Sequence, residues 1–207
     1  MQAFLRAWEP RLYPLPGYTR GMPGTVVSVC RGRVKEVPHD GGLLRTAIFK
    51  DPVEGPVRVT TLGLEGDAQA DRRYHGGPEM ALLAYSATHY PHWAAWLGRE
   101  PEKGQFGENL TISRLVEEET RVGDTFRCGT AVVAVTKPRS PCFKIGVRVG
   151  KPEAVDAYLE SGRWGIYLRV VEEGVVAAGD AWIPLDSDPK AVTIAEVITE
   201  RIGRNRG

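Results

Sequence analysis

The stretch DTFRCGTAVVAVTKPRSPCFKI, residues 124–145, combines short strand patterns with a rigid loop. Its run AVVAV at 131–135 is apolar without alternation, which is typical of a strand buried in a core. Pro138 and Pro141 remove two backbone donors and push the residues before them into extended conformation. The stretch therefore predicts a buried strand that leads into a stiff loop around Cys142.

Similar apolar segments recur along the whole chain. Its 207 residues include 24 glycines and 15 prolines, which divide the sequence into short β-branched runs. The clearest are TVVSV, VRVTTL, ALLAY, NLTI, GIYLRVV and AWIPL. Many short strands at fairly even spacing favour a barrel or sandwich, because sheet edges must be closed or covered. We expect a mainly β fold: a distorted barrel with a few short peripheral helices.

Three segments have the pattern of helices. WAAWLGR follows SATHYPH, and its helix is expected to begin near Thr88 and to end at Gly98. KPEAVDAYLESG, residues 151–162, starts with a proline and stops at a glycine, as short helices do. In TIAEVITERIGR, Thr193 stands three residues before Glu196, which is a capping-box pattern.

The C-terminal helix also carries one apolar face, formed by Ile194, Val197, Ile198 and Ile202. This face needs a partner surface, either on the same domain or on another copy of the chain. Composition does not change before about residue 187, so we expect one domain over 1–187 and a C-terminal helix within 188–207.

Charge and cysteine content argue against several classes of protein. Lys+Arg total 27 and Asp+Glu total 26, so no general basic surface for a nucleic acid polymer is expected. Three cysteines without a C-x-x-C spacing argue against a disulfide framework or a structural zinc site. The sequence shows no signal-peptide pattern and no apolar run near the ~20 residues of a membrane helix. We expect a cytoplasmic protein that has no membrane partner.

The loop around Cys142 is rich in cations. Lys137, Arg139 and Lys144 all lie within five residues of the thiol. Nearby positive charge favours the thiolate and so is expected to lower the pKa of this cysteine toward neutral pH. A thiolate serves as a nucleophile or as a ligand for a soft metal. The alternative is a small buried hydrophobic residue, the role that we expect for Cys30 and Cys128.

Two glycine-rich segments offer further contacts. In GLEGDAQADRRYHGG, residues 63–77, Gly76 and Gly77 let the backbone approach an anion, and His75 can donate a hydrogen bond or move a proton. The alternative there is an ordinary loop with a surface histidine. In GQFGENLT, residues 104–111, Asn109 can contact a heterocycle or a phosphate, or it is a turn residue bonded to its own backbone.

Other signatures are absent from the sequence. It contains no dinucleotide fingerprint, P-loop, hydrolase nucleophile elbow or H-E-x-x-H motif. HYPH contains two histidines, but the proline between them and the lack of a third clear ligand argue against a metal pair.

Taken in order, the motifs resemble one known family. GLEGDAQADRRYHGGPEMALLAYSATHY, FGENLT, VGDTFRCG, KPRSPCFKI and the G-x-Y-x-R-V segment of GIYLRVVEEG are similar to the MOSC domain, and most similar to its YiiM-like branch. The resemblance runs from the TVVSV strand to the AWIPL strand. It implies a β-rich barrel that binds molybdenum cofactor, a pterin (molybdopterin) with a dithiolene and a phosphate.

The resemblance also implies roles for residues. It places the sulfur ligand of molybdenum at Cys142 and cofactor contacts in the loops around His75, Asn109 and Ser140. It implies reduction of N-hydroxylated substrates such as hydroxylaminopurine, with electrons from a separate flavin-containing reductase. Because this reaction consumes two protons, Asp71 and His75 are candidate proton donors. The remaining candidates for cofactor binding are Lys50, Arg72, Gly76, Gly77, Lys137 and Arg139.

Two alternatives stay open beside the reductase. YiiM-like chains often continue into a three-helix segment, whereas this sequence ends at Gly207 after one predicted helix, so the electron-transfer or dimer contact of such a segment stays open. A homodimer is kept as a candidate assembly. A non-catalytic carrier of molybdenum cofactor or of sulfur on Cys142 is therefore a second hypothesis. A nucleophilic enzyme that uses Cys142 and His75 is a third. Three dispersed cysteines cannot hold an iron–sulfur cluster, so electrons must come from outside.

Overall fold

The computed structural model of the protein describes residues 22–70 and 76–204. Thirteen strands form within these ranges. They are β1 Gly24–Arg31, β2 Lys35–His39, β3 Gly42–Thr46, β4 Asp51–Pro52, β5 Val57–Thr60, β6 Gly63–Leu64, β7 Leu82–Ser86, β8 Leu110–Ile112, β9 Thr125–Cys128, β10 Ala131–Pro138, β11 Ile166–Glu172, β12 Gly174–Val176 and β13 Ala181–Asp186.

The same ranges contain four α-helices and two short 3-10 helices. The α-helices are α1 Tyr90–Leu97, α2 Lys144–Val149, α3 Ala154–Ser161 and α4 Ile194–Arg204. The 3-10 helices are Pro78–Met80 and Ala87–His89.

Seven strands close into a barrel, which confirms the predicted fold class. Their order around the barrel is β13-β9-β10-β11-β7-β8-β1, and β1 pairs again with β13. β4 pairs with β1 beside the barrel, while β12, β5 and β6 form a small second sheet. β2 and β3 form a separate hairpin. Closure leaves no free edge on the main sheet, which is why so many apolar strands can coexist in one chain.

One pair of barrel neighbours, β7 and β8, is parallel, and all the others are antiparallel. Parallel neighbours need a long crossover, because a tight turn reverses the chain. The crossover here is the segment 87–109, and α1 lies within it. It returns the chain to the barrel at Asn109, whose carbonyl oxygen accepts a hydrogen bond from the Cys30 backbone N–H at 2.7 Å.

The core fills the barrel and continues under the helices. Residues 131–135 of β10 are all buried, as their unbroken apolar run predicts. Outside this strand the largest buried side chains are aromatic, and many of them pack ring against ring. Trp93 and Tyr158 stack at 5.2 Å between centroids, and Phe126 and Trp182 stack at 4.4 Å. Apolar burial on this scale supplies most of the driving force for the fold.

Three of the four helices match the prediction. α1 ends at Gly98 in the left-handed conformation, with φ 73°. α3 ends at Gly162 but begins at Ala154, two residues after Pro152. α2 is an additional helix that the sequence did not reveal, because it has only six residues, includes Gly146 and follows directly on the rigid cysteine loop.

α4 docks on the barrel of its own chain. Ile194, Ile198 and Ile202 are buried and Val197 is half-buried, while Arg201 donates hydrogen bonds to the Pro138 carbonyl at 3.2 Å and to Ser140 Oγ at 2.9 Å. This barrel therefore supplies the partner surface for the apolar face. The homodimer and the boundary near residue 187 stay predictions. No helix in the described part of the chain is long and apolar enough to cross a membrane.

Candidate functional site

A cleft opens on the barrel beside the start of β8 and the end of β10. Its cavity volume is about 100 Å³, and the space between its walls out to the open mouth is about 620 Å³. Polar and charged side chains from distant parts of the sequence meet there with a few apolar ones. The lining residues are Thr46, Ala47, Ile48, Lys50, Asp67, Ala68, Gln69, Ala70, Met80, Leu83, Gly107, Asn109, Arg139, Cys142, Lys144 and Tyr167.

Lys50, Asp67 and Asn109 form what we call the paired region of the cleft. Lys50 Nζ lies 2.5 Å from both carboxylate oxygens of Asp67, and both side chains are buried. Asp67 also accepts hydrogen bonds at 2.8 Å from the Gly32 backbone N–H and from Asn109 Nδ2. Every charge in this region therefore has a partner, which is the condition under which buried ion pairs persist.

Asn109 connects three parts of the chain. Its Oδ1 accepts from the Leu83 N–H at 3.1 Å, and its Nδ2 donates to the Cys30 carbonyl at 3.3 Å as well as to Asp67. Both amide hydrogens are thus used within the protein. This geometry gives Asn109 a structural role at the cleft, joining β7, β1 and the segment that carries Asp67.

Arg139, Cys142, Lys144 and Tyr167 form what we call the cationic region of the cleft. The Arg139 side chain is buried: it donates to the Phe106 carbonyl oxygen and lies over the Tyr158 ring with Cζ 5.6 Å from the centroid. None of the ion pairs among the described residues includes Arg139 or Lys144. Burial acts to lower the pKa of Arg139, but the nearby tyrosines, Cys142 and Glu108 outweigh it and raise the pKa. The cleft thus retains a permanent buried positive charge.

Cys142 sits in the turn between β10 and α2. Its carbonyl oxygen accepts from the Ile145 N–H at 3.0 Å, which ties the turn to the first residues of the helix. Cys142 is half-buried and forms no disulfide. Cys30 and Cys128 are buried, and burial raises the pKa of each to about 12, as expected for small core residues. Among the three cysteines, Cys142 lines the cleft.

Tyr167 faces Cys142 and Arg139 from β11. Burial raises the pKa of the phenol, Arg139 partly offsets this, and Cys142 adds to it. Tyr167 therefore stays protonated, and it lines the cleft together with Cys142. A neutral donor is thus available beside the thiol.

Glycines and one buried carboxylate shape the loop before Asn109. Glu108 accepts from the Gly104 and Phe106 backbone N–H groups at 3.0 and 2.9 Å, and from the Tyr90 hydroxyl at 2.5 Å. Gly104 has φ 77°, and a Cβ there would stand 2.5 Å from the Lys50 carbonyl oxygen. A side chain at this position would push the loop away from the paired region.

The predicted site residues fall into four groups, the last of which is the glycine pair Gly76 and Gly77. Lys50, Asn109, Arg139 and Cys142 meet in the cleft. Lys137 pairs with Tyr167 across β10 and β11 and does not line the cleft, and Ser140 is exposed and bonded to Arg201. Asp71, Arg72 and His75 lie outside the described residues, so their contacts stay predictions.

Gly76 and Gly77 approach the cleft indirectly. The Gly77 N–H donates to Gln69 Oε1 at 3.3 Å, and Gln69 lines the cleft. The side-chain amide of Gln69 also donates to the Met80 carbonyl at 3.4 Å. The paired glycines are therefore linked to the cleft through this one side chain.

Sequence reasoning missed several residues of the site. Asp67 and Gln69 stood in the glycine-rich segment without an assigned role, and Lys144 was noted only as a charge near Cys142. Tyr167 is the tyrosine of the G-x-Y-x-R-V pattern, so its signal was present in the sequence. The partners of Asp67 had no such signal, because they come from three other segments.

The HYPH histidines do not form a metal site with their described neighbours. His89 Nε2 lies 2.8 Å from Glu117 Oε1, and no group of three or more His, Cys, Asp or Glu side chains within 22–70 and 76–204 has the geometry to hold a metal ion. Burial, followed by Arg163 and His89, lowers the pKa of His92 to about 4.

Comparisons with known proteins extend these observations. A family model described as the MOSC domain matches residues 71–182. The uncharacterized protein YflK of Bacillus subtilis is 39% identical over 170 residues, which are 82% of this chain and 77% of that protein. Protein YiiM of Escherichia coli is 36% identical over 173 residues, with 82% and 75% of the two chains covered.

The chain is also similar to two solved YiiM structures and to a fungal protein. YiiM from Geobacillus stearothermophilus superposes with a TM-score of 0.72 at 30% identity, covering 89% of this chain and 86% of that one. YiiM from Escherichia coli gives 0.65 at 28% identity, covering 86% and 76%. A Gibberella moniliformis protein named reductase is 36% identical over 162 residues, 76% of this chain but only 28% of its own length.

Proposed function

Because the chain belongs to the MOSC domain family, in its YiiM-like branch, we propose that it binds molybdenum cofactor in the cleft and reduces N-hydroxylated compounds such as hydroxylaminopurine. A separate flavin-containing reductase would deliver the electrons. The fungal relative named reductase supports an oxidoreductase, although this chain corresponds to about a quarter of its length. The observation that carries the proposal is a buried arginine without a carboxylate partner among the described residues, beside the half-buried Cys142.

The cationic region fits an anionic cofactor with a soft metal. Burying a cation without a counter-ion is costly, so a buried arginine that faces a cleft is most stable when an anion occupies that cleft. Arg139 donates to the Phe106 carbonyl and interacts with Tyr158, and its guanidinium carries five N–H donors in the fixed fork that matches a phosphate. Lys144 adds a second positive charge at the same cleft.

The thiol of Cys142 is suited to the metal end of such a cofactor. Sulfur is the ligand type that molybdenum already has in a dithiolene, and a third sulfur preserves this soft coordination. The stiff turn between Pro141 and α2 keeps the thiol at the cleft without an ordering cost on binding. Only part of a pterin fits within a cavity of about 100 Å³, so the rest would extend into the open mouth.

Different residues of the chain have different roles in the proposed reaction. When bound, the cofactor supplies the two electrons that convert R–NHOH and two protons into R–NH2 and water. Tyr167 presents a protonated hydroxyl beside Cys142, so it can donate a hydrogen bond to an oxygen in the cleft. Asp71 and His75 remain the predicted proton donors. The paired region holds the Asn109 segment in place, and its Lys50 charge is already balanced by Asp67.

The test combines cofactor content with turnover. The protein is produced in cells that synthesise molybdenum cofactor, its molybdenum and pterin contents are measured, and hydroxylaminopurine reduction is followed with an artificial electron donor. We expect near-stoichiometric cofactor and turnover in the wild type, and loss of metal or activity in Cys142→Ser. The matched control is Cys128→Ala, which removes a buried thiol far from the cleft and should keep both.

The outcomes also separate the alternatives. Bound cofactor without turnover of any N-hydroxylated compound would favour the carrier of cofactor or sulfur. Neither cofactor nor turnover, together with rapid alkylation of Cys142, would favour the nucleophilic enzyme. Full retention of metal and activity in Cys142→Ser would contradict the proposed role of this residue.

A further inference from the structure

A second pocket lies beside the strands β9 and β13. Its cavity volume is about 280 Å³. The lining residues are Met22, Arg114, Glu119, Thr120, Asp124, Phe126, Trp182, Pro184, Leu185, Asp186 and Ser187. β8 connects Asn109, which lines the cleft, to the segment that carries Arg114, which lines this pocket.

Buried polar atoms without partners are concentrated at this pocket. Within the described ranges, five buried side-chain nitrogen or oxygen atoms lack a hydrogen-bond partner. Three of them belong to residues that line the pocket: Glu119 Oε2, Asp124 Oδ1 and Trp182 Nε1. Asp124 is 5% exposed and Trp182 is 1% exposed. Folded proteins keep few such atoms, so a cluster of three at one cavity indicates a group that is bound there.

The pocket has the charge and shape for an organic cation. Three carboxylates, of Glu119, Asp124 and Asp186, face one guanidinium, of Arg114, whose Nη1 lies 3.8 Å from Met22 Sδ. The stacked rings of Phe126 and Trp182, 4.4 Å apart and inclined by 18°, provide an apolar aromatic surface. Carboxylates beside aromatic faces favour a cation that carries an apolar body.

The unpartnered atoms define the polar groups of the ligand. The two carboxylate oxygens accept hydrogen bonds and the indole N–H donates one, so a complete ligand has an ammonium group and a nearby oxygen. A metal ion does not fit, because no three His, Cys, Asp or Glu side chains among the described residues, these three carboxylates included, are placed to hold one. The three atoms are closed to solvent in this conformation, so binding requires small side-chain rotations that turn them toward the cavity.

We propose that this pocket is a binding site for a small arylalkylamine, which is a cationic amine on an alkyl chain that carries an aromatic ring, with a hydroxyl next to the amine. Its ammonium group donates to Glu119 and Asp124, its hydroxyl accepts from the Trp182 N–H, and its ring packs on Phe126 and Trp182. The site is independent of the cleft and of the proposed function, because no residue lines both cavities.

A matched set of probes tests the site by NMR on 15N-labelled full-length protein. The probes are 2-amino-1-phenylethanol, the neutral 1-phenylethane-1,2-diol and the anionic mandelate. The reporter is the indole Nε1–H resonance of Trp182, assigned by its loss in Trp182→Phe. We expect the amine to shift this resonance saturably, and the diol and mandelate to have at least about tenfold weaker effects, because both lack the charge that meets the carboxylates.

Substitutions separate specific binding from apolar adsorption. Asp124→Asn and Glu119→Gln each keep the size of the side chain and should weaken the amine at least about tenfold, since each removes one charge-assisted hydrogen bond. Glu54→Gln, which neutralises an exposed carboxylate between β4 and β5, should leave the affinity unchanged. Glu119 is only half-buried, so its variant remains informative if Asp124→Asn unfolds the protein.

Two results would overturn the proposal. One is the absence of a saturable shift of the Trp182 resonance with the amine up to about 10 mM, which would leave water as the occupant. The other is equal binding of the amine and the diol, which would reduce the pocket to an apolar cavity without selectivity for charge.

Discussion

The paired and cationic regions of the cleft hold buried positive charge in different ways. Lys50 lies 2.5 Å from the Asp67 carboxylate, which receives two further N–H donors. Arg139 has a carbonyl oxygen and a tyrosine ring as partners, but no carboxylate among the described residues. A cation that is fully paired serves the fold, whereas one that is not paired is available to a ligand. This difference separates structural from ligand-binding roles within a single cleft.

The largest effect on stability is expected when Asp67 is removed. Asp67→Ala leaves the Lys50 ammonium buried without its counter-ion, and we expect a loss of about 3–5 kcal/mol in the free energy of unfolding. Urea unfolding followed by tryptophan fluorescence measures this change.

Substitution of the lysine is the matched control for Asp67→Ala. In Lys50→Met the Asp67 carboxylate keeps its hydrogen bonds from the Gly32 N–H and Asn109 Nδ2, so a smaller loss is expected. Equal losses in the two variants, or a loss below about 1 kcal/mol in Asp67→Ala, would contradict a structural role for the pair.

Asn109 tests the paired region without removing a charge. Asn109→Ala leaves the buried Leu83 N–H and the Cys30 carbonyl without their side-chain partner, and we expect a loss of about 2–3 kcal/mol in the same assay. If Asn109 instead serves only to contact a ligand, the variant will unfold like the wild type and differ only in cofactor content.

Site residues that lie close together in the sequence could be predicted. Site residues that come together from distant segments could not. Lys137, Arg139 and Cys142 were recognised together because two prolines hold them in one short loop, and the structure places the latter two in the cleft. The Lys50–Asp67 pair joins residues 17 apart through a third segment that carries Asn109. No sequence pattern specifies such a meeting, because it depends on the parallel crossover between β7 and β8.

The same distinction applies to the fold. Strands such as 131–135 were predicted because their apolar side chains report burial directly. The α4 capping box was predicted because its two partners are three residues apart, and the structure shows both bonds. α2 was missed because six residues with an internal glycine carry too little periodicity to be recognised.

Substitution of Arg139 tests the ligand-binding role of the cationic region. Arg139→Met removes a buried charge that has no direct ion pair with a carboxylate among the described residues. Apart from the lost bond to the Phe106 carbonyl, we expect the free energy of unfolding to change by less than about 1 kcal/mol. The pterin content of protein from cofactor-producing cells should fall at least about tenfold, because a charge-assisted bond to the phosphate is lost. Lys50→Met should retain most of its cofactor. The reverse order of the two variants would assign the ligand-binding charge to Lys50.

The smallest effect on stability is expected at α4, which bonds to the segment that carries Arg139. Arg201 of this helix bonds to Pro138 and Ser140, on either side of Arg139, so loosening the start of α4 should cost stability without removing a cleft residue. Thr193→Ala removes the capping hydroxyl and should lower the free energy of unfolding by about 1 kcal/mol.

Bonds from the Thr193 N–H and hydroxyl lower the pKa of Glu196 below its ordinary value of 4.5. A carboxylate with a depressed pKa stabilises the fold above the unfolded value, and this contribution disappears as pH falls through that window. The stability difference between the wild type and Glu196→Gln should therefore shrink as the pH of urea unfolding is lowered below about 4.5. A difference that stays constant across that range would show that the Glu196 charge does not support the helix.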